Sequence, residues 1–354
     1  MLKLNRNKSG VIIIIVLWVL VILTVISVGL GRQTDLDLSL TKHYLDRFQT
    51  KYYAFAGLVH AAQFLISDGK NETTKIFDSL YQCGIPPLPE PGAENLFSRV
   101  AAGEGYFSLK YFDVSVKGQQ YGFADEERKI NLNGINAQNV KILIGLVELM
   151  GAESSRASQI GYSVVDWIDA DDQLSDAQSG AEDEFYMSLE KPYHVKNRVF
   201  DSLEELVLVR GMDRDLLVKL KPFVTVFPKS GGLRVNIDTA PREVLQAMSR
   251  FYSGAPTNSD TVDADNLTDK IMAYRNGADH QPATDDDRLI EMNEMSLNAK
   301  ERSIFLVMNT VLRTKTSNYF YIRSVGGKVN SPVGTVLSAV IKRSDLSVLS
   351  WQRN

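Results

Sequence analysis

The sequence predicts an α+β protein: one long N-terminal helix packed on a small antiparallel sheet, with a large, mostly helical domain inserted between the strands. Three observations carry this. An uncharged apolar run near the start continues into a heptad-like apolar pattern. Strand-like segments fall in two separate places, near residue 110 and after residue 317. Between them lies an acidic stretch of short helical patterns.

Residues 11–31 hold 21 residues without a charged side chain, enough to cross roughly 30 Å of hydrocarbon as a helix. Lys3, Arg6 and Lys8 precede the run without an acid, whereas Asp35 and Asp37 follow it. That bias predicts a single-pass membrane anchor with the C-terminal bulk outside the cytoplasm. A cleavable secretory signal fits less well, since the run exceeds a usual h-region and no A-x-A-like site follows. Past the run, Leu38, Thr41, Leu45, Phe48, Tyr52, Phe55, Val59, Ala62 and Ile66 step by threes and fours. They predict a helical continuation with this seam packed on a globular body, ending at Ser67-Asp68-Gly69.

A Pro-rich loop, GIPPLPEPG, interrupts the chain at Gly84. GYFSLKYFDVSV and QYGFADEE then read as two strands joined at Lys117-Gly118. At the other end, residues 318–351 predict three strands broken at Gly326-Gly327, Ser331-Pro332 and Arg343-Ser344-Asp345. The intervening block, Ala124 to Lys300, carries 19 Lys and Arg against 31 Asp and Glu, a net of −12, while the rest of the chain is +8. An inserted domain over residues 125–315 follows, with 32–124 and 316–354 as the two parts of the sheet-bearing domain. Inside it RKINLNGINAQNV echoes LRVNIDTAPREVL: a short extended piece with Asn, a polar cap, then an apolar helix. In the second copy Asp238 or Thr239 is the expected cap and Pro241 sits in the first turn. Ser202 and Glu205 predict a capping box, followed by a helix pair turning at Gly211.

Enzyme chemistry is not indicated. The single cysteine, Cys83, excludes an internal disulfide framework, and His43, His60, His194 and His280 are scattered. Asp166 opens the richest polar stretch, DWIDADDQLSDAQSGAEDEFY, which holds eight acids. Asp169, Asp171 and Gln173 alternate like the opening ligands of a calcium loop, and Glu182 and Asp183 close the site from the far side. Hard oxygen donors without His or Cys favour structural Ca²⁺ over zinc. Trp167, Ile168, Phe185 and Tyr186 would anchor both ends of the loop and press its carboxylates together. A solvated acidic loop is the plainer alternative, and DDDR at Asp285 reads as one. LVRGMDRDLL has the layout of a helix-hairpin-helix nucleic-acid binder, but Asp213 and Asp215 beside the turn would repel phosphate.

Lys-Ser-Gly before the apolar run, together with the amphipathic extension, resembles the class III signal of type IV pilins and type II secretion pseudopilins. The resemblance implies a pilin-like fold and prepilin peptidase cleavage of a leader, residues 1–10, between Gly10 and Val11, with N-methylation of the new terminus. Most of that family carry Glu at the fifth mature position; here it is Ile15. Its absence, with VLWVLVILTV, DEERKINLN, DWIDADD, GAEDEFY, NRVFDSLEELVLVRGM, NIDTAPREVL and the terminal VLSW, resembles the minor pseudopilin K family, general secretion pathway protein K. That resemblance implies a non-enzymatic subunit at the tip of the periplasmic pseudopilus, with minor pseudopilins I and J as partners. It also implies protein export through the outer membrane and calcium in the inserted domain. The alternatives from other classes are a membrane-tethered helix-hairpin-helix nucleic-acid receptor and a type IV pilus minor pilin.

Overall fold

The computed structural model describes residues 9–70, 96–254, 261–282, 284, 286–313 and 316–353. The leader up to Lys8, the loop from Gly84, Cys83 and Asp285 lie outside the described residues. Helix α1 (Ser9–Lys70) is 62 residues long, longer than the apolar patterning requires. At 1.5 Å per residue it spans roughly 93 Å.

The sheet orders its strands β1 (Val100–Ala102), β2 (Gly105–Asp113), β9 (Tyr319–Lys328), β10 (Gly334–Lys342) and β11 (Val348–Arg353), all antiparallel. Two short strands, β3 (Gly118–Tyr121) and β4 (Ala124–Asp125), pair with β2 and β9. Asp113 pairs with Gly118 around the expected turn, where Lys117 takes φ +53°. The later strands separate at residues 329–333 and 343–347.

Gly326-Gly327, expected to end a strand, lies inside β9. The reason is contact with α1: a Cβ on Gly326 would stand 2.1 Å from the Thr50 carbonyl oxygen and 2.5 Å from the Ala54 amide nitrogen. Only a glycine lets the strand and helix backbones meet so closely.

The helix face that meets the sheet is also not the expected one. Thr50, Ala54, Leu58, Ala61 and Leu65 are buried against Phe107, Leu109, Phe320, Ile322 and Leu337. The larger apolar seam points outward: Leu45, Phe48, Tyr52, Phe55 and Val59 are all exposed. Small residues win the packed face because close approach of the backbones, rather than side-chain bulk, sets the helix–sheet distance. Asp46 marks where the helix first meets the body. It pairs with Lys328 Nζ at 3.1 Å and accepts from Ser331 Oγ at 2.9 Å.

Between β4 and β9 the chain is mostly helical. The echo noted in the sequence corresponds to two similar halves. The first starts with β5 (Ile130–Asn131), carries α2 (Val140–Leu149), α3 (Ser154–Ile168), α4 (Asp183–Met187) and α5 (Arg214–Leu220), and ends in β6 (Val224–Thr225). The second starts with β7 (Val235–Asn236), carries α6 (Arg242–Tyr252), α7 (Val262–Arg275) and α8 (Ala299–Met308), and ends in β8 (Leu312–Arg313). In each half the last strand pairs in parallel with the first. Both halves share one hydrophobic core.

The asparagines of the echo lock these brackets. Asn133 Nδ2 donates to the Phe200 and Val226 carbonyls at 3.1 and 2.9 Å. Asn236 Nδ2 donates to Asp125 Oδ2 at 3.0 Å, and Thr239 Oγ1 and Ser317 Oγ donate to the same oxygen at 2.6 and 2.7 Å. Asp125 thus ties a sheet strand to the helical region, although burial pushes its carboxyl above the usual range. Neither Asp238 nor Thr239 caps α6. Asp238 Oδ1 accepts from the Ile290 amide, Thr239 is spent on Asp125, and Pro241 itself stands at the N-cap. Glu205 does accept from the Ser202 amide at 3.1 Å, but the element it opens is a 3-10 stretch, Leu203–Leu208, rather than the first member of an α-helix pair.

Candidate functional site

Two features stand out: the acidic loop after α3 and the open face of α1. The loop is held from below by Asp166, a buried residue of α3. Its carboxylate accepts from the Ser175 amide at 2.8 Å and the Ala181 amide at 2.7 Å, folding residues 169–182 back over the helix end. Aromatic packing fixes both ends, as the sequence led one to expect. Trp167 lies edge-on to Tyr186 at 5.4 Å and stacks on Phe200 at 6.3 Å.

Asp169, Asp171 and Gln173 line one cleft of about 480 Å³. Asp171 Oδ1 accepts from the Gln173 amide at 2.9 Å. Glu182, only 6% exposed, lies close enough to Asp166, Asp169, Asp172 and Asp171 to feel their charge. Burial first, then these neighbours, push its carboxyl up to about 8. Burial, then Asp166 and Asp171, likewise push Asp169 up to about 6.

Asp183 does not join them. At the first position of α4 its carboxylate meets His194 Nδ1 at 2.7 Å and accepts from the Val195 amide at 2.7 Å, which holds it below the usual carboxylate range. His194, scattered from the other histidines in sequence, thus pairs with Asp183.

The residues fit a hard cation by a separate test. Both Glu182 carboxylate oxygens, Asp169 Oδ1 and Asn197 Oδ1 are buried and receive no hydrogen bond. Buried acceptors without donors are costly, and oxygens of this kind are what a calcium ion coordinates. Among the described residues no three His, Cys, Asp or Glu side chains are drawn into a closed cage. The carboxylates share a field rather than a finished shell. Sequence reasoning missed Asp166 and Asn197. Asn197 takes φ +47° and its Nδ2 reaches Asp172 Oδ1 at 3.3 Å; no spacing rule connects it to the loop.

At the Gly211 turn the nearby polar groups are engaged within the chain. Asp213 caps α5 by accepting from the Leu216 amide at 2.8 Å and pairs with Arg156, whose Nε donates to the Gly211 carbonyl at 2.8 Å. The turn itself lies against Arg156, Gln159 and Ile160 of α3.

Along α1, the stretch Val11–Ser67 has a mean hydropathy of 3.4 in its most apolar window, none of it buried, and is long enough to cross a membrane. The apolar N-terminal helix fits a single-pass anchor.

A long N-terminal helix with an uncovered apolar start, laid on an antiparallel sheet, makes a pilin-like α+β fold, here with helical residues between two of its strands. The family model for type II secretion system protein K matches residues 128–229. Type II secretion system protein K of Pectobacterium carotovorum is 28% identical over 62% of this chain and 62% of its own length, so the match spans less than two thirds of that relative. The Klebsiella pneumoniae protein of the same name is 27% identical over 67% of this chain and 68% of its own. A solved chain of the GspK-GspI-GspJ complex from enterotoxigenic Escherichia coli superposes with a TM-score of 0.56 and 22% identity, covering 89% of this chain and 99% of that one. Over these lengths the chain is similar to type II secretion system protein K.

Proposed function

We propose that this protein is a minor pseudopilin at the tip of the periplasmic pseudopilus. In this reading it assembles with minor pseudopilins I and J and the other pseudopilins, and supports export through the outer membrane without catalysis of its own. The observation that carries this is the open seam of α1, from residue 11 through Leu45, Phe48, Tyr52, Phe55 and Val59. The body buries the opposite face, so the seam is left for other helices.

Before assembly, residues 11–31 sit in the inner membrane with the bulk in the periplasm. Prepilin peptidase cuts between Gly10 and Val11, and the new terminus is N-methylated. The helix then exchanges lipid contacts for protein ones, at little cost in apolar burial. Ile15 offers no carboxylate to a neighbouring subunit's terminal amine, which suits a subunit with none ahead of it. The helical insert obstructs a subunit stacked above.

Asp169, Asp171 and Glu182 would hold a calcium ion, with Gln173 at the cleft mouth and Asp166 and Asn197 beside it. Bound there, calcium supplies the positive charge that lets these carboxylates stand together.

Replacing Gly10 with Val tests the reading. The variant is expected to keep the mass of the uncut chain when expressed with its peptidase, and unchanged processing overturns it.

A further inference from the structure

Between the outer face of the sheet and the inserted region lies a groove of about 570 Å³, within the range of small-ligand pockets. Its floor is two cross-strand rows. Arg323, Ser338 and Gln352 stand opposite one another on β9, β10 and β11, and two residues along Tyr321, Val340 and Ser350 do the same. Period-two alternation puts both rows on the face away from α1. Leu203 and Phe227 close the groove from the other side.

Its charges are unevenly matched. Lys129 is paired with Glu126 at 2.6 Å, Lys221 with Glu204 at 2.8 Å, and Arg128 with Asp113. Arg323 has no acidic partner among the described residues. Its direct neighbour Ser338 is 2% exposed, and the Ser338 Oγ makes no hydrogen bond. A buried hydroxyl left without a partner is costly, and this one faces the groove beside an unmatched guanidinium. The fork of an arginine meets a carboxylate with two parallel N–H donors, and the Ser338 hydroxyl and Gln352 amide add two more. A phosphate dianion suits the groove less well, because Glu126 and Glu204 also line it.

We propose that this groove binds a carboxylate carried on an apolar body, the carboxylate on Arg323, Ser338 and Gln352 and the apolar part against Tyr321, Val340 and Phe227. The same chemistry comes from a chain's C-terminus or from an acidic side chain next to an aromatic one.

The test titrates three probes into the full chain in dodecyl maltoside micelles, by calorimetry. They are N-acetyl-phenylalanine, its neutral amide, and the N-acetyl-Glu-Phe amide. At least one acid is expected to bind, with the neutral amide about ten-fold weaker or more. Binding of N-acetyl-phenylalanine alone assigns the groove to a C-terminus, and binding of the Glu-Phe amide assigns it to an acidic side chain. Arg323→Gln is expected to weaken the acid by about ten- to a hundred-fold, with partial rescue in Arg323→Lys. Should Arg323→Gln fail to fold, Gln352→Glu places a like charge at the exposed end of the row and is expected to weaken the acid about ten-fold. Equal affinity for acid and amide, no heat from either acid, or unchanged binding in a folded variant overturns the proposal.

Discussion

Glu182 and Asp169 show how much a single side chain decides here. Both are acids whose folded form favours the proton, Glu182 with a carboxyl pushed up to about 8 and Asp169 to about 6. A group raised in this way contributes stability that is complete below the ordinary carboxylate range and lost as pH rises through the folded value. In chelator, the melting temperature of the chain is therefore expected to fall between about pH 4 and pH 8. Added Ca²⁺ is expected to raise it and flatten the slope, since the cation replaces the proton as the neutralising charge. Glu182→Gln should flatten the chelator profile and abolish most of the calcium response; a melting temperature indifferent to both EDTA and Ca²⁺ would sink the metal reading. The sequence made Asp169, Asp171 and Glu182 readable because carboxylates crowd between anchoring aromatics. It gave no sign that Asp183 turns to His194, because that choice depends on where the 194–195 segment crosses α4.

At the scale of the element, types were legible and faces were not. The alternation of β2 and β9 and the apolar run of α1 follow from spacing alone. Which side of α1 meets the sheet does not, because an amphipathic helix of this kind has two usable faces. The larger one, from Leu45 to Val59, looked like the core and is open. The face actually used depends on Gly326, whose missing Cβ admits the Thr50 carbonyl. Gly326→Ala is expected to cost about 1–3 kcal/mol through this overlap, read as a lower melting temperature with α1 still helical by circular dichroism. A variant as stable as the parent would show that strand and helix can separate without loss. The asparagines of the echo were visible in the sequence, yet the partners of Asn133 and Asn236, namely Phe200, Val226 and Asp125, lie far along the chain and needed the fold to appear.

For the whole molecule, the proposed function assigns stability and assembly to different residues. Phe48 and Tyr52 are 59% and 57% exposed, so Phe48→Glu with Tyr52→Glu should leave the melting temperature nearly unchanged, each within about 0.5 kcal/mol. The same pair is expected to abolish co-purification with pseudopilins I and J from membranes. Intact co-purification would place the contact elsewhere on the body. The partition of the chain has a mechanical corollary. Residues 11–45 run free of the body, a lever of roughly 50 Å, and the first clamp they meet is Asp46 against Lys328 and Ser331. A push delivered along the helix from below therefore meets the sheet first at one ion pair and the loop after β9, next to the glycine seat of Thr50. That corner is the fulcrum, and the sheet and the helical insert ride above it as load.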